Sequence, residues 1–177
     1  MEGDVELEGE ELVDQRWTGA ALGKVRLTDV RFVGCDLSGV QIEDGSFLRV
    51  RFERCRLSGL VAANLRANEV TLDDCKLDGA WLRMSTWKAS ELTGCDLTDA
   101  DLYEASITAS RLLRCTLAGV QLSKARLDGT AIHGSTIGDA LGVTVDVLRG
   151  ATMAMDQALA VAPLVLAAAG VTIDDLP

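Results

Sequence analysis

The chain has 177 residues, a one-domain length, and 48% of them are hydrophobic with a mean hydropathy of +0.19, enough apolar material for a sizeable core. Intrinsic disorder is excluded on that ground. Against 27 acids stand 17 bases, a net charge of −10 with a pI near 4.5, which disfavours a protein that works by neutralising nucleic-acid phosphates. Two prolines and one histidine leave the chain poor in linkers and in the commonest catalytic and metal-binding side chain.

The opening segment MEGDVELEGEEL carries acids and no positive charge, the opposite of a secretory or mitochondrial leader. The longest apolar run, Ala158–Val171, is 14 residues long, short of the ~20 that cross a bilayer as a helix. These features predict a soluble, cytoplasmic protein with no membrane contact. Its five cysteines, an odd count, are then expected as reduced thiols. Residues 1–14 hold seven acids and no base. They read as a charged, frayed end that discourages stacking; the alternative is an acidic contact for a basic partner.

From Leu7 to Ile137 every fifth residue is apolar, 27 positions without a miss, and 25 of them are Leu, Ile, Phe or Trp. The exceptions are Ala62 and Ala67. Two residues before each centre lies a second inward set that is almost all small, running through Ala20, Val25, Val30, Cys35 and Val40 to Thr130 and Ser135. Glu10 and Gln15 hold this position at the acidic end. Leu60 and Leu65 are large where the following centres are Ala62 and Ala67, so the summed volume is kept, as a close-packed interior demands. A period of five fits neither a helix nor a long strand, so each pentapeptide is a short extended piece plus a corner. Cys35, Cys55, Cys75, Cys95 and Cys115 recur every twenty residues, which makes four pentapeptides one coil and stacks the cysteines in a core ladder on one side.

The chain resembles the pentapeptide-repeat family, whose pattern is a small residue, Asp or Asn, Leu or Phe, then two polar residues. Cys35-Asp36-Leu37-Ser38-Gly39, Cys95-Asp96-Leu97-Thr98-Asp99 and Ala100-Asp101-Leu102-Tyr103-Glu104 match it closely. The resemblance covers residues 5–139 and implies a right-handed quadrilateral β-helix, an all-β solenoid. The chain departs from the pattern before the centre, where arginine is common: Arg16, Arg26, Arg31, Arg51, Arg56, Arg66, Arg111 and Arg126. Nearly seven coils at about 4.8 Å each predict a rod of roughly 30 Å. Gly39, Gly59, Gly79 and Gly119 fall at matching corners, where a positive φ suits glycine. The frame has no interruption, so no long loop projects from the rod.

The division expected is a repeat region over residues 1–139 and a helical cap over 140–177. A one-turn helix capped by Thr144 is predicted first. A longer helix follows from about Asp156, as N-cap, to Ala169, with Gly170 at C′ and Pro163 as a kink or restart. Its surface is apolar nearly all round, so one face covers the last coil at Ile132 and Ile137 while Leu159, Pro163, Leu166 and Ala169 are left as dimer candidates. Met155–Ala160 also resembles the tail of actinobacterial members of the family, whose C-terminal part makes a dimer, so a homodimer through this helix is implied.

Chemistry is sparse. A straight cysteine ladder does not converge tetrahedrally on zinc, so the thiols read as core. His133 stands at an outward corner with no motif around it. Ser85, Ser90, Ser110 and Ser135 fall at inward positions, where they bond backbone. No nucleophile–base pair, phosphate loop or HExxH occurs. No enzyme, cofactor or metal site is expected.

What remains is surface. Trp81, Met84, Tyr103 and Leu113 are outward apolar residues, and Trp81, Met84, Asp101, Tyr103 and Glu104 are expected on one side of the rod. With the acidic stretch Glu91, Asp96, Asp99, Asp101 and Glu104 they form the partner-contact candidates. The quinolone-resistance members of the family are acidic rods that imitate duplex DNA and occupy the DNA-binding saddle of gyrase. The resemblance therefore implies a non-enzymatic DNA mimic acting on a type II topoisomerase, without direct nucleic-acid binding. The alternative is a scaffold with an unrelated protein partner. Residues 15–138 contain 16 bases and 15 acids, so the middle of the rod is neutral, which favours the alternative.

Overall fold

The protein, described here by a computed structural model covering residues 2–172, is a β-solenoid of about six turns closed by a short C-terminal helical segment. In chain order the strands are β1 (Glu2–Glu8), β2 (Glu11–Val13), β3 (Ala21–Thr28), β4 (Arg31–Val33), β5 (Gln41–Leu48), β6 (Arg51–Glu53), β7 (Arg66–Asn68), β8 (Thr71–Asp73), β9 (Thr86–Lys88), β10 (Glu91–Thr93), β11 (Ser106–Thr108) and β12 (Arg111–Leu113). Odd-numbered strands form one parallel six-stranded sheet, the first face, and even-numbered strands the second face. Register confirms the coil of twenty: Leu12 pairs with Phe32, Phe32 with Phe52, Phe52 with Leu72 and Leu72 with Leu92.

The other two sides are too short for ladders and are held by isolated parallel bridges in the same register. Arg16, Asp36, Arg56, Lys76, Asp96, Thr116 and Thr136 follow one another on the third face. Gln41, Val61, Trp81, Asp101, Gln121 and Leu141 do so on the fourth. Each centre of the five-residue frame from Leu22 onward is buried, and most residues two before it are buried with it. The early coils have an aromatic interior, with Phe32 and Phe52 stacked at 4.9 Å and Trp17 edge-on to Phe32 at 5.7 Å.

The volume exchange predicted around Ala62 and Ala67 involves two further partners. A Cβ on Gly45 would sit 2.6 Å from Leu65 Cδ1, so the large residue at 65 uses space freed one coil earlier. Ala67 pairs in register with Trp87, whose ring is buried and whose indole N–H donates to Ser85 Oγ at 2.9 Å. Corners carry the expected positive φ, +65° at Gly39 and +63° at Gly59 and Gly79, but Asp99 occupies the same corner at +56°. A side chain on Gly119, directly next in that column, would collide with the Asp99 carboxylate.

Two expectations are corrected. The acidic start is not frayed: β1 pairs with β3 from Glu2 to Glu8, because Val5 and Leu7 pack against the core beside Val25 and Leu27. Nor is every pentapeptide short, since β3 and β5 run through eight residues where the fourth face meets the first, and Lys24 and Asp44 lack the positive φ of the other corners.

At the far end α1 (Val145–Leu148) is capped by the Thr144 hydroxyl, which accepts from Val147 N–H at 3.3 Å. The second helix, α2 (Met155–Ala168), has its N-cap at Ala154, two residues before the predicted Asp156. Asp156 is displaced from that role by Gln157, whose Oε1 accepts the Ala154 N–H at 2.9 Å. Asp156 instead places its carboxylate in the first turn, favourably to the helix dipole. Pro163 lies inside one continuous helix and does not restart it. Gly170 follows with φ +77°. No helix among the described residues is long and apolar enough to cross a membrane.

Candidate functional site

Of the large exposed apolar residues of the rod, Trp81, Met84 and Leu141 lie on the fourth face and Val13 on the second. Trp81 stands outward between Val61 and Asp101 in its column, 58% exposed, and Met84 is 46% exposed at the neighbouring corner. One coil on, Tyr103 lies between two cations, with the Arg83 guanidinium and the Lys124 ammonium each 5.1 Å from its ring centroid. Both cations are themselves paired. Arg83 donates to Asp101 at 2.6 Å and Lys124 to Glu104 at 3.0 Å. Asp101 also accepts the Tyr103 backbone N–H at 3.0 Å, which fixes the carboxylate beside the ring. Lys124 holds the Glu104 carboxyl below its ordinary value, while Tyr103 and Glu104 raise the Lys124 ammonium.

Trp81, Met84, Asp101, Tyr103 and Glu104 thus share one face. The rest of the acidic stretch does not join them, because successive pentapeptides turn a corner. Glu91 lies in β10 on the second face, and Asp96 and Asp99 belong to the third. Leu113, in β12, is likewise on the second face. Each acid of the stretch except Asp99 pairs with a base: Glu91 with Arg111, Asp96 with Lys76, Asp101 with Arg83 and Glu104 with Lys124. The Thr98 hydroxyl, its backbone N–H and Lys76 lower the Asp96 carboxyl. Beyond Gln15 no face carries a net charge above two of either sign; the fourth sets Lys24, Arg83 and Lys124 against Glu43, Asp44, Asp101 and Glu104.

Sequence reasoning missed the pairing of these cations across coils, although the signal was present. The pairs Glu11–Arg31, Asp29–Arg49, Lys76–Asp96, Glu91–Arg111 and Glu104–Lys124 are each separated by twenty residues, the spacing of the cysteines.

The cysteines form a hydrogen-bonded column. Each thiol points back to a carbonyl 23 residues earlier, as Cys95 does to Leu72 at 3.5 Å. Ser135 continues the column, taking the Cys115 N–H at 2.9 Å and donating to Leu112 O at 2.7 Å. Ser85, Ser90 and Ser110 also donate to backbone carbonyls. Among the described residues no three His, Cys, Asp or Glu side chains cluster as metal ligands, and His133 is exposed.

On α2 only Gln157 and Val161 are buried. Gln157 Nε2 donates to Ile132 O at 2.5 Å and Ser135 O at 2.7 Å, so an amide rather than an apolar side chain plugs the last coil. The opposite side is open: Leu159 is 68% exposed, Leu166 is 37% exposed, and Pro163 and Ala169 are exposed with them.

A family profile described as pentapeptide repeat region matches residues 45–122, and one described as pentapeptide repeats (8 copies) matches residues 18–59. The chain belongs to the pentapeptide-repeat family. Among solved structures, this pentapeptide-repeat chain is similar to a trypsin-treated form of QnrB1, a plasmid-mediated fluoroquinolone resistance protein. That match has 18% identity and a TM-score of 0.62 over 97% of this chain and 99% of that one. A second trypsin-treated QnrB1 gives 18% identity and 0.43 over 98% and 100%. A pentapeptide repeat protein from the cyanobacterium Cyanothece gives 17% and 0.32 over 77% and 86%. At this identity the first likeness speaks for the fold. No curated protein matches the chain by sequence.

Proposed function

We propose that this pentapeptide-repeat protein is a non-enzymatic interaction protein that meets a protein partner through the fourth face of its solenoid and acts as a homodimer through α2. The observation that carries the reading is the exposed Trp81–Met84 pair beside the Tyr103 ring. Two large apolar side chains stand on a rod face whose neighbouring charges are already paired, so burying them leaves no new charge without a counterion. The open stripe of Leu159, Pro163, Leu166 and Ala169 supports the dimer.

The finer proposal is a DNA mimic that binds a type II topoisomerase, DNA gyrase, as the family resemblance implies. A supercoiling assay with purified protein titrated into gyrase at two salt concentrations tests it. Inhibition that weakens with salt is the expected result. Undisturbed supercoiling at both would remove gyrase as the partner. One observation favours the second reading, a scaffold with an unrelated partner: the acids of the 91–104 stretch wind around three faces and all but Asp99 are paired, so no face presents a continuous negative strip.

A further inference from the structure

We propose that the corner between the second and third faces, in the first three coils, is an oxyanion site that takes linked phosphate groups. Ten of the 17 bases pair with a carboxylate within 4.0 Å among the described residues. Arg16, Arg54 and Arg56 are outside that set, and all three line one shallow recess of about 440 Å³ together with Asp14, Gly34 and Asp36.

The recess follows from the repeat. In the corner column of the second face Asp14, Gly34 and Arg54 succeed one another at intervals of twenty. Gly34, at φ +64°, contributes no side chain, and the Asp14 carboxylate leans into the space that a Cβ there would take. Across the corner Arg16, Asp36 and Arg56 stack in register. Asp36 turns its carboxylate along its own rung, where Oδ1 accepts the Ser38 N–H at 3.1 Å, and it closes an ion pair with neither arginine. Three guanidinium groups then face two carboxylates, which leaves a net positive charge in an acidic protein.

Guanidinium is the side chain whose planar fork matches phosphate oxygens. Arg16 and Arg56 are two coils apart, roughly 10 Å along the axis at the usual strand spacing. That span suits two linked phosphoryl groups, as in a diphosphate, better than a single phosphate.

The test is calorimetric titration of the full chain with pyrophosphate at constant ionic strength. Saturable binding is expected, at least tenfold weaker in Arg54→Gln/Arg56→Gln and several-fold tighter in Asp36→Asn, where the amide oxygen keeps the Ser38 bond. Lys88→Gln, which removes an unpaired base of the first face, is expected to change nothing. Thermal unfolding of each variant verifies the fold. ADP competing for the site identifies a nucleotide as the source of the diphosphate; binding of pyrophosphate alone restricts it to the inorganic anion. No saturable binding by the unaltered chain, no loss in the arginine variant, or an equal loss in Lys88→Gln would each overturn the proposal. None of these outcomes depends on gyrase or on the dimer.

Discussion

At the scale of single residues, the cysteine column shows why an inward position can be small without being featureless. A corner leaves one backbone N–H per coil facing the interior, and burying it unpaired costs about 1–3 kcal/mol. A hydroxyl one coil on accepts it, as Ser135 does for Cys115. Ser90 does the same for Val70 in the neighbouring column. The expected order of stability is therefore wild type, then Cys95→Ser, then Cys95→Ala. A serine hydroxyl keeps the donation that Cys95 makes to the Leu72 carbonyl and loses about 1 kcal/mol of packing; alanine loses that donor and the volume and costs about 2–3 kcal/mol. Urea unfolding of the three proteins measures this. An alanine variant as stable as the serine variant would show that the thiols only fill space. The periodicity made the position of this column legible, because a twenty-residue repeat survives in one dimension. Its hydrogen bonds were not, because they join atoms on different coils.

At the scale of elements, the strands and the two terminal helices were readable, and the contacts that the ends make were not. A repeat has the same neighbours on both sides, so local pattern and tertiary packing agree along its whole length. The first and last coils have one neighbour, and their structure depends on what meets them. Glu10 and Gln15 look like misplaced polar residues until the edge of the sheet is seen beside them, and both are exposed there. Gln157 looks like one polar residue in an apolar helix until Ile132 and Ser135 offer it two carbonyls that have no further coil to bond. That contact fixes which side of α2 faces the solenoid and therefore which side stays open. Leu159→Glu/Leu166→Glu changes only the open side, so the monomer should keep its melting temperature within about 1 kcal/mol of stability. Light scattering is expected to show a dimer for the unaltered chain and a monomer for the variant. A dimer that survives the double change would move the contact away from α2.

At the scale of the whole molecule, charge is organised by coil rather than by sequence neighbourhood. The −10 total places seven acids in the first fourteen residues, while the middle of the rod is a lattice of exposed pairs between coils. Such pairs are individually weak in water, and they set pH dependence more than total stability. Hydrogen bonds from Arg49, Arg66, Arg31 and Lys124 hold Asp29, Asp44, Glu53 and Glu104 below the ordinary carboxylate range, and Ser38 and Thr98 do the same for Asp36 and Asp96. A carboxyl with a depressed folded-state pKa contributes stability that is complete above its unfolded value, near pH 4, and is lost as pH falls through the folded value. The melting temperature is therefore expected to be flat between pH 8 and 5 and to drop below pH 4. Because the pairs are exposed, 0.5 M salt should shrink the drop. A melting temperature that holds or rises from pH 5 to pH 3 at low salt would mean that relief of repulsion among the crowded acids of the first coil outweighs the lattice, and the two terms would then separate on neutralising Glu6 and Glu8.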